Sequence, residues 1–286
     1  MSPSLSSRLA RLATRLGLTS RPPAPQHARE RIGKLKLEFA PLPAFHSSIF
    51  WSDNPSLEDL HELPRGALSG PTQEYKARAH AILVKLIRRE SEPRDAFDLR
   101  EVGGFLAPNP LGIPCPSFET FAATPACRAI RIISYNDFMR VMDTAVPGYK
   151  AAPRVTLLQA NWQGDRVFWA GDGHGEAFAC AIAYARLRGL DLSLPCEQVR
   201  YFIDEDGLAA LERAYHVLLM PEHAWNDREF MRHLLEDGTP YARLRLQRHN
   251  HEWLLLDKRL PRSDGLGIGL KKAGAADFCD YLRRHL

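Results

Sequence analysis

Hydrophobic positions recur at helical spacing in some stretches of this chain and alternate in others. In "PTQEYKARAHAILVKLIRRE", Pro71 to Glu90, the residues Ala79, Ile82, Leu83, Leu86 and Ile87 share one side and Arg and Lys the other. With Pro at its start, this stretch predicts a helix. "CRAIRIISYNDFMRVMD" predicts a strand over Ala129–Ser134 and then a helix opened by Asn136 or Asp137. The C-terminal half is better patterned. "RVTLLQANW" and "RVFWAGD", joined by "QGD", predict a hairpin. A helix over Glu176–Arg188 follows, then a strand "EQVRYFID", a helix "EDGLAALERA" and a strand "YHVLLM". "DREFMRHLLED" reads as a short helix, "ARLRLQRHNHEWLLLDKRL" as a second hairpin turning at His249–His251, and "AADFCDYLRRHL" as a tail helix. The sum is an α+β class, with helices packed on an antiparallel sheet.

Three parts follow from these patterns. Residues 1–38 form a basic amphipathic helix and linker. Residues 39–150 form an irregular, helical N-terminal region. Residues 151–286 form the α+β domain. In the first part, Leu5, Leu9, Leu12 and Leu16 fall at helical spacing, with Arg8, Arg11 and Arg15 on another face and no acid among them. Two readings stay open for residues 5–18: a solvated or partner-docked terminal helix, or a membrane-surface or targeting segment. "TSRPPAPQ" reads as a linker, and "GGFLAPNPLGIPCP" as a Pro/Gly-rich loop.

Composition changes this picture little. The 286 residues, 45% hydrophobic and 25% charged, suit an ordinary globular protein with a sizeable core. Charge is informative because it is uneven. Residues 1–38 hold eight of the 38 Lys and Arg but only two of the 34 acids, so the remainder is close to neutral. A net charge of +4 so concentrated is no specific nucleic-acid signal. The five cysteines are odd in number and lack a close CxxC pair, which favours a reduced, cytoplasmic setting. No stretch has the length and apolarity of a membrane span or a signal-peptide core.

The stretch with most chemical content is Gly171-Asp172-Gly173-His174-Gly175-Glu176, between a strand and a helix. Its glycines permit left-handed backbone and close approach. Asp172 suits a helix N-cap, and Glu176 adds negative charge at the positive helix end. Downstream, His216 begins the strand "HVLLM", and Asp257 ends "EWLLLD". The other histidines carry less. His249 and His251 flank a hairpin tip, and His223 and His233 lie among polar residues.

This order resembles the transglutaminase-like cysteine hydrolases, most closely the bacterial transglutaminase-like cysteine proteinases. The resemblance covers about Val155 to Arg259. Gly171, Asp172, Glu176, Phe178 and Ala179 match the nucleophile turn and helix, His216 the base, and Asp257, preceded by Trp253, the acid that orients it. The resemblance implies a transglutaminase/papain-like topology in the C-terminal half, action on peptide or amide bonds, a protein or peptide partner and no cofactor or metal. Helix N-termini favour thiolates, and a His–Asp pair supplies base and orientation. Gly175 stands at the nucleophile position, where the family has Cys. Cys180, five residues on, lies about 140° round the helix and does not replace it. The resemblance therefore implies either thiol chemistry in a form carrying Cys, a descendant that binds a peptide or protein without cleaving it, or other work by His174 and Glu176.

The same segment also resembles the ParB/sulfiredoxin-like nucleotide-binding fold. There a strand, a "DGHHR" turn, an Ala-rich helix, a "G-x-x-x-x-P" link and another strand follow in order. Asp172, Gly173 and His174 match, while Gly175 and Glu176 stand where the family carries its phosphate-binding Arg. A fainter pattern, His174-x-Glu176 with Pro195-Cys196, is similar to a zinc deaminase but supplies only two of the ligands such a site needs.

Overall fold

The computed structural model describes residues 37–39, 45–171, 173–235, 238–246 and 251–285. The basic segment expected at residues 5–18, Asp172 and the hairpin tip at 247–250 lie outside the described residues.

Two five-stranded sheets organise the chain. The first has the order β2-β6-β4-β5-β3, with β2 at Ile87–Asp98, β3 at Gly104–Phe105, β4 at Val155–Ala160, β5 at Val167–Trp169 and β6 at Ser193–Ile203. The second has the order β1-β8-β9-β7-β10, with β1 at Leu68–Ser69, β7 at Tyr215–Pro221, β8 at Ala242–Arg245, β9 at His251–Asp257 and β10 at Ala276–Asp277. The second sheet is antiparallel throughout. The first is mixed, which corrects the expectation of a purely antiparallel arrangement: β6 lies parallel to β4, and β3 parallel to β5. For β6 the reason is the crossover helix α4, Gly175–Arg188, which carries the chain from β5 to the far side of β4.

Three hydrophobic clusters give the layering. On the outer face of the first sheet, Leu157, Trp169 and Cys196 pack against α2 (Phe118–Ala122), α3 (Tyr135–Ala145) and α4. Between the sheets, Phe168 and Ile203 meet Val217, Leu244 and Trp253, along with residues of α1 (Gln73–Leu83), α5 (Glu205–Ala214) and α8 (Phe278–His285). Trp51 wedges into this centre edge-on to Phe168, with centroids 5.0 Å apart. On the outer face of the second sheet, Leu218, Leu254 and Leu256 meet α6 (Arg228–Leu235) and α7 (Pro261–Lys272). β7 is buried on both faces, which is why it reads as a run rather than an alternation.

Most elements of the C-terminal half stand where the pattern places them; four features differ. The first helix ends at Leu83, and Ile87–Glu90 open the long strand β2. Ala129–Ser134 is not a strand; Ser134 caps α3 in a reciprocal box with Asp137. Residues 261–272 are helical although Gly265, Gly267 and Gly269 weaken helix propensity there. Finally, β2 and β3 join β4–β6 in one sheet and β1 joins β8 in the other, so both sheets draw strands from each side of residue 150. Among the described residues no helix is long and apolar enough to cross a membrane.

Candidate functional site

The turn from β5 into α4 is shaped by aromatic packing. Trp169, at the end of β5, stacks on Phe178 in the first turns of α4, with centroids 4.2 Å apart and planes 9° from parallel. Gly171 must lack a side chain, since a Cβ would lie 1.8 Å from the Trp169 ring. Gly173 has φ +81°, and His174 has φ +52° and ψ +29°, a left-handed conformation uncommon for a side-chain-bearing residue. His174 holds the N-cap position; its carbonyl accepts from Phe178 N at 3.0 Å, and its exposed side chain makes no cap bond. A left-handed residue followed by a helical one turns successive backbone N–H groups into one concavity, the geometry of an anion-binding nest. Gly175 is buried, and a Cβ there would sit 3.1 Å from the Phe105 ring and 3.3 Å from Ala107 Cβ. Glu176 is half-buried in the first helical turn.

Cys180 is a core residue. Burial first, and the neighbouring Cys127 second, push its thiol up to about 12, far from the thiolate a nucleophile needs.

His216 is on β7, and its neighbours differ from those the cysteine-hydrolase resemblance implies. Its Nε2 lies 2.8 Å from Asp264 Oδ1, in the first turn of α7. Asp257 instead accepts two bonds from the Arg259 guanidinium, at 3.0 and 2.6 Å, which hold its carboxyl below the usual carboxylate range. Strand register explains this. β7 pairs Tyr215 with Asp257 and His216 with Leu256. Residues opposite each other share a face and successive ones alternate. His216 therefore faces the outer α7 layer, and Asp257 shares Tyr215's face of the sheet. Gly175, in turn, lies in the outer layer of the other sheet. The structure does not bring Gly175, His216 and Asp257 together, and Trp253, which precedes Asp257, packs at 4.0 Å on Phe278 as a core residue.

The residue missed by pattern reading is Asp264. Its signal was faint, since Pro261 starts a helix whose three glycines argue against one. Gly267 serves packing: a Cβ there would approach the His216 ring to 2.3 Å. Burial lowers the His216 pKa; the Asp264 bond opposes the shift, and Lys258 and Lys271 add to it. Its Nδ1 has no partner among the described residues, as suits a neutral ring donating from Nε2. A base with a depressed folded pKa favours the folded state fully above its unfolded pKa of 6.5. Stability should therefore fall as pH drops below 6.5 and through the folded pKa. Urea denaturation between pH 8 and 5 should show a steeper loss for the wild type than for His216→Gln; parallel slopes would refute the assignment.

Cys196 of the deaminase-like pattern is fully buried on β6. No group of three or more His, Cys, Asp or Glu is placed to hold a metal ion among the described residues.

Residues 92–286, about two-thirds of the chain, match the family described as "Family of unknown function (DUF6685)", and the chain belongs to that family. No curated protein and no solved structure matches it.

Proposed function

We propose that this member of the DUF6685 family binds a nucleotide through its phosphates at the turn from Trp169 to Glu176. The observation that carries the reading is the backbone of His174 and Gly175, a left-handed residue running into the N-terminus of a 14-residue helix. Such a terminus presents unpaired N–H groups and the positive end of the helix dipole. The surrounding unit supports it. The strand β5, the turn, the Ala-rich helix α4 and the strand β6 follow in the order that the ParB/sulfiredoxin-like resemblance implies. His174 is exposed beside these N–H groups, and in this reading its imidazole donates to a phosphate oxygen.

The departure is Glu176, whose charge opposes an anion at the same helix end. That opposition makes the test directional. Thermal shift of the full chain with ATP, CTP, GTP and UTP, with magnesium at fixed ionic strength, should show stabilisation that grows with concentration for at least one nucleotide. Glu176→Gln should tighten that binding about two- to fivefold, as expected for removing an unfavourable charge at a helix N-terminus. His174→Ala should weaken it. No shift with any nucleotide, or a shift indifferent to both substitutions, would rule the turn out.

A further inference from the structure

A second cationic feature lies away from that turn. A cleft of about 520 Å³ opens between α1, the junction of α5 with β7, and the link from β9 to α7. Three arginines line it, Arg78, Arg213 and Arg259, and no acidic residue does. The rest of the lining is Ala81, Ile82, Ala214 and Tyr215. The cations come from three separate elements, so the fold, not a local charge run, collects them.

Two of the three have carboxylate partners and one has none. Arg259 is committed to the buried Asp257. Arg78 pairs with Glu74 on the solvent side, where both side chains are about half exposed or more. Such exposed pairs hold weakly and exchange readily. The Arg213 guanidinium has no hydrogen-bond or ion-pair partner among the described residues. Its place in the last turn of α5 gives it a favourable helix-dipole contact. That contact accounts for one Arg, not for three lining one largely apolar cleft. Gathering like charges costs free energy that a multiply charged anion would recover, and guanidinium forks match phosphate oxygens in shape.

We infer that this cleft is a binding site for a phosphorylated small molecule. Arg213 and Arg78 grip its phosphate, Arg259 adds charge while anchored to Asp257, and Ile82 with the alanines receives the organic part. This site is independent of the turn at His174, and different substitutions report on each.

The test uses the full chain, with phenyl phosphate and inorganic pyrophosphate as probes in thermal shift and calorimetric titration, against sodium sulfate and sodium chloride at matched ionic strength. Phenyl phosphate should stabilise the protein in a concentration-dependent way. Arg213→Gln, which breaks no ion pair, should weaken its binding about tenfold, the usual loss for one charge-assisted hydrogen bond. Arg78→Gln should weaken it as well, and both losses should persist in a Glu176→Gln background. Stabilisation matched by chloride, absent with both phosphates, or equal in wild type and Arg213→Gln would overturn the assignment. A phosphate effect that follows Glu176→Gln instead would place the binding at the turn and also overturn it.

Discussion

Replacing Phe178 by alanine should lower the unfolding free energy by about 3–5 kcal/mol, the range for emptying a large aromatic from a packed core. Phe178 is fully buried. It lies flat against Trp169 and meets Phe118 edge-on at 5.8 Å. Aromatic pairs of this kind add about 0.5–1.5 kcal/mol to area burial alone. The substitution acts on function through geometry, since the Trp169–Phe178 stack joins the end of β5 to the start of α4 and so sets the path of the turn between them. Chemical denaturation measures the first effect, and nucleotide thermal shift the second. Phe178→Leu, which keeps most of the volume, should cost clearly less. A loss below about 1 kcal/mol for the alanine variant would contradict a close-packed Phe178.

Gly267→Ala should also destabilise, against helix propensity. In an exposed helix interior, alanine gains about 1 kcal/mol over glycine. Here its Cβ would lie 2.3 Å from His216 Cδ2, 2.6 Å from Cγ and 3.0 Å from Cβ. The imidazole is fixed by its bond to Asp264, and the strand behind it is buried. Overpacking of this sort costs about 1–3 kcal/mol, so a net loss is expected. A double-mutant cycle isolates the cause. In a His216→Ala background the ring is gone and only the 3.0 Å approach to Cβ remains, so Gly267→Ala should cost clearly less. Equal effects in both backgrounds would show that the two residues are not in contact.

These expectations draw unequally on sequence and structure. The strands β4 to β7, the helix α4 and the tail helix were legible because each carries a period, of two or of 3.6, that survives without its neighbours. Ser134 as a cap and Ile87–Glu90 as strand were not. The first competed with Asn136 and Asp137, which have similar capping chemistry, and the second continues a helical pattern that only pairing with β6 interrupts. α7 was hidden because three glycines lower its local signal, and one of them, Gly267, answers a tertiary demand, the approach to His216.

The candidate sites divide in the same way. The Gly-rich turn was visible as a motif, because glycine spacing before an Ala-rich helix is a local property of the chain. That His174 takes the left-handed position, and that Gly175 faces Phe105 and Ala107, depends on packing from a strand some 70 residues upstream. The order of His216 and Asp257 along the chain was equally plain, yet strand register decides that they point to opposite faces of one sheet and take Asp264 and Arg259 as partners. The arginine cleft had no sequence signature, since Arg78, Arg213 and Arg259 are spread over more than half the chain. Periodicity and turn chemistry are short-range and were determined by the sequence alone. Which face a side chain shares, and with which distant charge, was decided only by the tertiary structure, because pairing between strands is a long-range choice that local pattern does not encode.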